Sequence, residues 1–368
     1  MVINKWLSYS LMKRRDPNIQ DNDGTTALML ASQNGHQHVV ELLLKEKTDP
    51  NIQDNDGSTA LMLASQNGHQ QVVELLLNEK ADPNIQDNDG MTALMEASLN
   101  GHQQVVELLL NEKADPNIQD NDGMTALMEA SLNGHQEVVK LLFSEKADPN
   151  IQHNDGWTAL IAASQNDHQQ VVQLLINKKA DPNIQKNNGA TALMVASQND
   201  HQKVVELLLK EKVDPSIQDN DGSTALMLAS QNGHQQLVEL LLKEKADPNI
   251  QDNDGMTALM EASQNGHQQL VELLLKEKAD PNIQDNDGWT ALMEASQNGH
   301  QEVVKLLFNE KADPNIQDKD GMTAFMLASQ NGHQQVVEIL LNEKAVPNIQ
   351  SNDGMTALMV ASQNGHQQ

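Results

Sequence analysis

The feature that most constrains this chain is a spacing. All eleven prolines, from Pro17 to Pro347, stand 33 residues apart. Eleven glycines keep the same interval from Gly24 to Gly354, and nine more follow a second register from Gly35 to Gly365, with Asp167 and Asp200 in its two gaps. Eleven of the thirteen histidines share the period, from His36 to His366. The stretch NIQDNDGMTALMEAS occurs letter for letter at Asn84, Asn117 and Asn249. A fixed period of this size means one supersecondary unit written many times, so dividing 368 residues by an average domain length does not apply. The copies are not equally alike. QEVVKLLF at Gln136 returns at Gln301, and GSTALMLASQNGHQQ at Gly57 returns at Gly222, both five units on. Either a five-unit block was duplicated, or units go on exchanging sequence.

The unit from Asp87 to Gln119 can be read locally. DNDG is a turn: Asp and Asn side chains bond nearby backbone, and Gly tolerates positive φ. Thr92 stands where a helix N-cap is wanted. ALMEAS then places Leu94, Met95 and Ala97 at helical spacing. Asn100-Gly101 ends that helix, because Gly takes the left-handed position after a C-cap. A second helix runs through HQQVVELLLNEK, where Val105, Val106, Leu108, Leu109 and Leu110 cover more than half the circumference, so it must lie between neighbours. Pro116 pushes Asp115 into an extended conformation on the way out. One such unit cannot bury its own apolar faces. Stacking does it, each unit touching only its neighbours.

Charge and composition narrow the partners. The chain carries 24 basic and 52 acidic residues, a net of −28. That disfavours nucleic acid, which needs clustered Lys and Arg, and anionic membrane surfaces. It favours a protein partner with a basic surface. No apolar run approaches the ~20 residues of a membrane span, so no direct membrane insertion is expected. There is no cysteine, hence no disulfide framework. With no signal peptide in MVINKWLSYSLMKRR, an intracellular, cytoplasmic, monomeric protein is expected.

Sequence motifs that carry chemistry are weak here. The periodic histidines fall on equivalent sites roughly 10 Å apart, whereas zinc wants nitrogens at ~2.0 Å. They read as residues that pack or hydrogen-bond at the start of the second helix. His153 alone among the loop residues breaks register and reads as a surface histidine. DNDG with a later Glu invites a calcium loop, but aligning Gly90 to its glycine puts Ile85 at the first ligand position. Ser98, His102 and Glu107 recur in most units without a unique pocket, and catalysis needs one constellation in one place. No cofactor, no metal and no enzyme activity are expected.

The unit resembles the ankyrin repeat. The resemblance rests on the period, the turn Gly, T-x-L in the first helix, GH, VV-x-LL and AD-x-N, and it covers residues 16–368. It implies an all-α ankyrin-repeat solenoid of stacked helix-turn-helix units joined by short β-hairpin-like finger loops. Units would start near 21, 54, 87, 120, 153, 186, 219, 252, 285, 318 and 351, the last incomplete. Residues 1–15, with Leu7 and Leu11 apolar, resemble a half-repeat serving as a cap. Three departures stand out. The family's T-P-L-H is T-A-L-M here. Its glycine after the second helix is lysine (Lys80, Lys113, Lys146), which in a left-handed C-cap would cost about 1 kcal/mol. Its D-V-N is D-P-N, which removes a backbone donor and predicts shortened β pairing.

By that resemblance, partners bind the concave face made by finger loops and first helices. The residue after the turn Gly varies most, and it supplies the protein-binding candidates Met91, Met124, Trp157, Met256, Trp289 and Met322. Trp and Met suit interface anchoring, though an unconstrained, drifting slot would vary too. A second variable slot supplies Glu96, Glu129, Glu261 and Glu294. These form an acidic stripe that suits a basic partner or is a solvated face. The resemblance implies a non-catalytic interaction scaffold or adaptor. Two alternatives remain at this level. One is the ankyrin segment of a larger channel, kinase or ubiquitin-ligase adaptor, since the chain stops inside a helix without a polar cap. The other is a structural or elastic spacer.

Overall fold

The structure, a computed structural model, describes residues 16–366. The half-repeat proposed over residues 1–15 lies outside the described residues. Among them are 21 α-helices, alternately seven and nine residues long, and no strand. In the third repeat the pair is Ala93–Leu99 and Gln103–Asn111. The described residues form two compact halves, divided in sequence between Ile184 and Gln185. In the first half, each first helix packs on the first helix of the next repeat, and each second helix on the next second helix. The second half is built by the same rule from Ala192–Gln198 onward.

The local signals act as their chemistry requires. Thr92 is extended at φ −109° and its Oγ1 accepts from Met95 N–H at 3.2 Å, capping the first helix. In four repeats the methionine three residues on answers the threonine, its Sδ accepting from Thr26, Thr59, Thr191 and Thr224 N–H at 3.3–3.4 Å. That sulfur, a weak acceptor, stands where a capping box would have a carboxylate. At the other end Gly101 sits at φ +71°. Gly101 and His102 N–H close back onto Ser98 and Ala97 carbonyls at 3.3 and 2.9 Å, the 5→2 and 6→1 pair of a Schellman motif. In the second helix Val105, Val106, Leu109 and Leu110 are buried, while Leu108 is half-buried and Glu107 faces water.

The second helix ends in the same motif with the unfavourable residue. Lys113 lies at φ +65°, and it and Ala114 bond to the Leu110 and Leu109 carbonyls, each at 3.0 Å. Ten lysines adopt this left-handed conformation, at φ +58° to +70°. The helix therefore ends as a glycine-terminated helix would, carrying the steric strain of a Cβ each time.

Proline in each loop has no N–H to give, and the expected β pairing is absent among the described residues. Side chains take over. Between the second and third repeats, Asn84 Oδ1 accepts from Asp115 N–H at 2.8 Å, and Gln86 Nε2 donates to the Gln119 carbonyl at 3.0 Å. Between the third and fourth, Asn121 Nδ2 donates to the Asn88 carbonyl at 2.8 Å. Asn121 N–H adds a backbone bond to the Asp89 carbonyl at 2.9 Å. On the helical side, His135 Nε2 meets the Leu99 carbonyl at 3.0 Å, and a Cβ on Gly101 would come within 2.7 Å of the imidazole. The histidine thus ties one repeat to the previous one, and its side chain makes no cap bond to its own helix. Where Asp200 replaces that glycine, the left-handed conformation is kept at φ +59° and the carboxylate stands 3.8 Å from His234 Nδ1.

Two outcomes follow from these local features. Lys113→Gly relieves the left-handed strain and raises the unfolding free energy by up to about 1 kcal/mol. An unchanged denaturant midpoint would show that the lysine makes up its strain elsewhere. In the second half the Asn-to-backbone bond recurs at Asp280, Asp313 and Val346, each at 2.8 Å. It is missing at Asp247, because Ser216 stands where the asparagine should be. Ser216→Asn supplies the acceptor and adds about 0.5–1.5 kcal/mol, read as a rise in melting temperature.

Candidate partner-binding surface

Each loop tip is a small hydrogen-bonded frame that carries one variable side chain. In the third repeat Asp87 N–H donates to the Met91 carbonyl at 3.0 Å, and Asp87 Oδ1 accepts from Asp89 and Met91 N–H at 3.0 and 2.8 Å. The aspartate carboxylate is thereby spent on its own loop. Gly90, at φ +85°, is required because a Cβ would lie 2.7 Å from Asn121 N of the next tip. Trp289 is held in the same way, its N–H donating to Asp285 Oδ1 at 2.7 Å. Met91, Met124, Trp157, Met256, Trp289 and Met322 all come out half-buried. Met91, Met124 and Trp157 belong to the first half, and the other three to the second.

His153 takes the aspartate's place in the fifth loop. Its Nδ1 accepts from Asp155 N–H at 3.0 Å while its own N–H donates to the Trp157 carbonyl at 2.9 Å. An accepting Nδ1 places any ring proton on Nε2. The Asp155 carboxylate lies 4.0 Å from the same Nδ1.

The glutamates are not a solvated face. Glu129 and Glu294 are buried, at 8% and 6% exposure, and Glu96 and Glu261 are half-buried. Burial pushes the Glu129 carboxyl up to about 7, with Asp120 and then Glu96 adding like charge. Burial also lifts Glu294 to about 7, against a 3.2 Å hydrogen bond from Gln264, with Asp285 and Glu261 raising it further. Glu96 and Glu261 are raised by burial as well, each opposed by a glutamine, Gln66 and Gln231. One oxygen of each, Oε2, is buried without a partner. Glu129 lacks a glutamine altogether, because Leu99 stands at that position.

Beside Trp157 the surface opens into a cavity of about 210 Å³ lined by Met124, Met128, Leu132, His153, Trp157, Thr158 and Ala162. Sequence reasoning pointed to Met124 and Trp157 and missed Leu132, His153 and Ala162 as site residues. The signal was present in the departures from the repeat: leucine for glutamine, histidine for aspartate, and the one alanine in the second variable slot. Elsewhere the sequence's chemical alternatives are not assembled. Ser98 Oγ is buried without a partner, His102 Nε2 faces the Gln66 carbonyl at 3.0 Å, and Glu107 is exposed.

Tandem helix pairs of this size, joined by Asp-Gly tip loops and tied by a Gly–His contact, are matched by a family model described as ankyrin repeats (3 copies). It matches residues 3–87, 73–153, 145–219, 179–252, 226–318 and 292–368. This chain belongs to the ankyrin-repeat family. No curated protein gives a match to it. Ankyrin repeats are generally protein–protein interaction modules, and typically non-catalytic. Among the described residues of this ankyrin array no helix is long and apolar enough to cross a membrane.

The buried glutamates make this surface pH-sensitive. Their folded-state values lie above the ordinary 4.5, so between about 4.5 and about 7 the folded chain holds protons that the unfolded chain has lost. Stability therefore falls as pH rises through that window. Glu129→Gln removes the penalty of ionising in place. It should stabilise the ankyrin array at pH 7.5 by on the order of 1–3 kcal/mol and by much less at pH 5, in paired thermal melts. A gain equal at both pH values would point to packing instead of charge.

Proposed function

We propose that this chain is a non-catalytic, monomeric scaffold that works inside the cell and binds partner proteins along the face made by its tip loops and first helices. The partner's contact surface is basic. The observation that carries the reading is a division of labour among residues. The recurrent Asn, Gln, Asp and His of the repeats are consumed by bonds within the loop or to a neighbouring repeat. Within each half the variable slots carry half-buried Trp and Met in the tip loops and buried or half-buried Glu in the first helices. A net charge of −28 attracts a basic surface, and aromatic anchors supply the short-range energy.

The test is capture of partners from the native cell by the full chain, followed by titration of the purified pair. Trp157→Ala and Trp289→Ala should each weaken binding about tenfold or more, and raising salt from 50 to 500 mM should slow association. Binding that is unaffected by both substitutions would remove these anchors. Capture of nothing above background, with repeat stabilities that simply add, would favour a spacer.

A further inference from the structure

We propose that the cavity between the fourth and fifth repeats is a socket for one apolar side chain of a basic peptide segment. The proposal rests on the reading of this face as the partner-binding surface. It goes further, because it assigns one place and one chemistry to what is otherwise a repetitive face.

Four observations carry it. First, the cavity exists because several departures from the repeat coincide. Leu132, His153, Trp157 and Ala162 line it, and five repeats later the same positions hold Gln297, Asp318, Met322 and Leu327. Leu327 is buried at 4% exposure, as is Ala162, and carries three more side-chain carbons at that position. The equivalent positions five repeats on are thus a natural comparison in which the lining differs.

Second, the size suits a side chain. A cavity of about 210 Å³ exceeds the ~150 Å³ that takes up a benzene ring. It is smaller than the ~300–1,000 Å³ of small-molecule sites.

Third, the lining is mostly apolar. Met124, Met128, Leu132, Trp157 and Ala162 are apolar. Thr158 Oγ1 already accepts from Ile161 N–H at 3.3 Å, and His153 Nδ1 from Asp155 N–H at 3.0 Å. Methionines and a tryptophan around an apolar hollow accept aromatic or branched aliphatic shapes.

Fourth, the rim is acidic. Asp122 and Asp155 are exposed on the two loops that hold Met124 and Trp157, and the Asp122 carbonyl accepts from Asn154 N–H at 2.9 Å, fixing the loops side by side. Lys or Arg on either side of the inserted residue would meet these carboxylates.

The experiment uses the full chain and three fluorescein-labelled probes: Arg-Arg-Phe-Arg-Arg, the same peptide with Ala for Phe, and Glu-Glu-Phe-Glu-Glu. The Phe peptide should bind about tenfold tighter than the Ala peptide, and the acidic peptide should not bind measurably. Ala162→Leu, which copies the residue of the tenth repeat, should bring the Phe/Ala ratio to near one with the melting temperature unchanged. Leu132→Gln, a second and milder variant, should lower the ratio in the same direction. Equal affinity for the Phe and Ala peptides, or a ratio that survives Ala162→Leu, overturns the socket while leaving the broader interface standing. An acidic peptide that binds as well as the basic one overturns the partner's charge. The interface reading fails separately, if a captured native partner ignores both tryptophan substitutions.

Discussion

A side-chain amide that reaches across to the next repeat is the interaction on which the rest of this structure depends. Proline in each loop takes away a backbone donor, and the described residues contain no strand to knit neighbouring loops. Asn84 and Gln86, each reaching the next repeat, replace that knitting with bonds of 2.8 and 3.0 Å. The histidine that meets the preceding repeat's last helical carbonyl does the same on the other side. Between these two seams the apolar faces of the helices close, and burial supplies most of the stabilisation. Without the seams the faces could still collapse, but their register would be set only by Leu and Val, which discriminate poorly between neighbouring offsets.

Much of the fold could be read from the letters. The period, the Thr cap, the Gly terminator and the apolar stripe of the second helix are local rules, and each acted locally. What could not be read was how a missing donor would be replaced. Asn and Gln look like generic loop residues until a partner 31 or 33 residues away is placed opposite them. The strained lysines were legible as a problem and not as an outcome. The helix could have ended differently, and only the backbone showed Lys113 at φ +65°.

The surface was legible in part for a related reason. Variation marks positions that no neighbour constrains, so Met91, Trp157 and their equivalents stood out. Glu129 and Glu294 also varied but are buried, whereas Glu96 and Glu261 in the same slot are half-buried. Their raised carboxyls place charge repulsion inside the scaffold. His153 illustrates the opposite error. Its ring looked like an isolated surface group, yet it performs the loop closure that an aspartate performs in eight of the other repeats.

The junction between repeats within each half has one further consequence. It offers the same donors above as it accepts below, so one repeat is as good a neighbour as the next. A whole repeat can then be gained or lost by unequal exchange without creating an unmatched surface. The five-unit echo between Gly57 and Gly222 is the kind of scar such exchange leaves. Length becomes a quantity that evolution can change in steps of 33 residues. A feature that depends on a particular pair of adjacent repeats, as the hollow beside Trp157 does, survives only where that pair is inherited together.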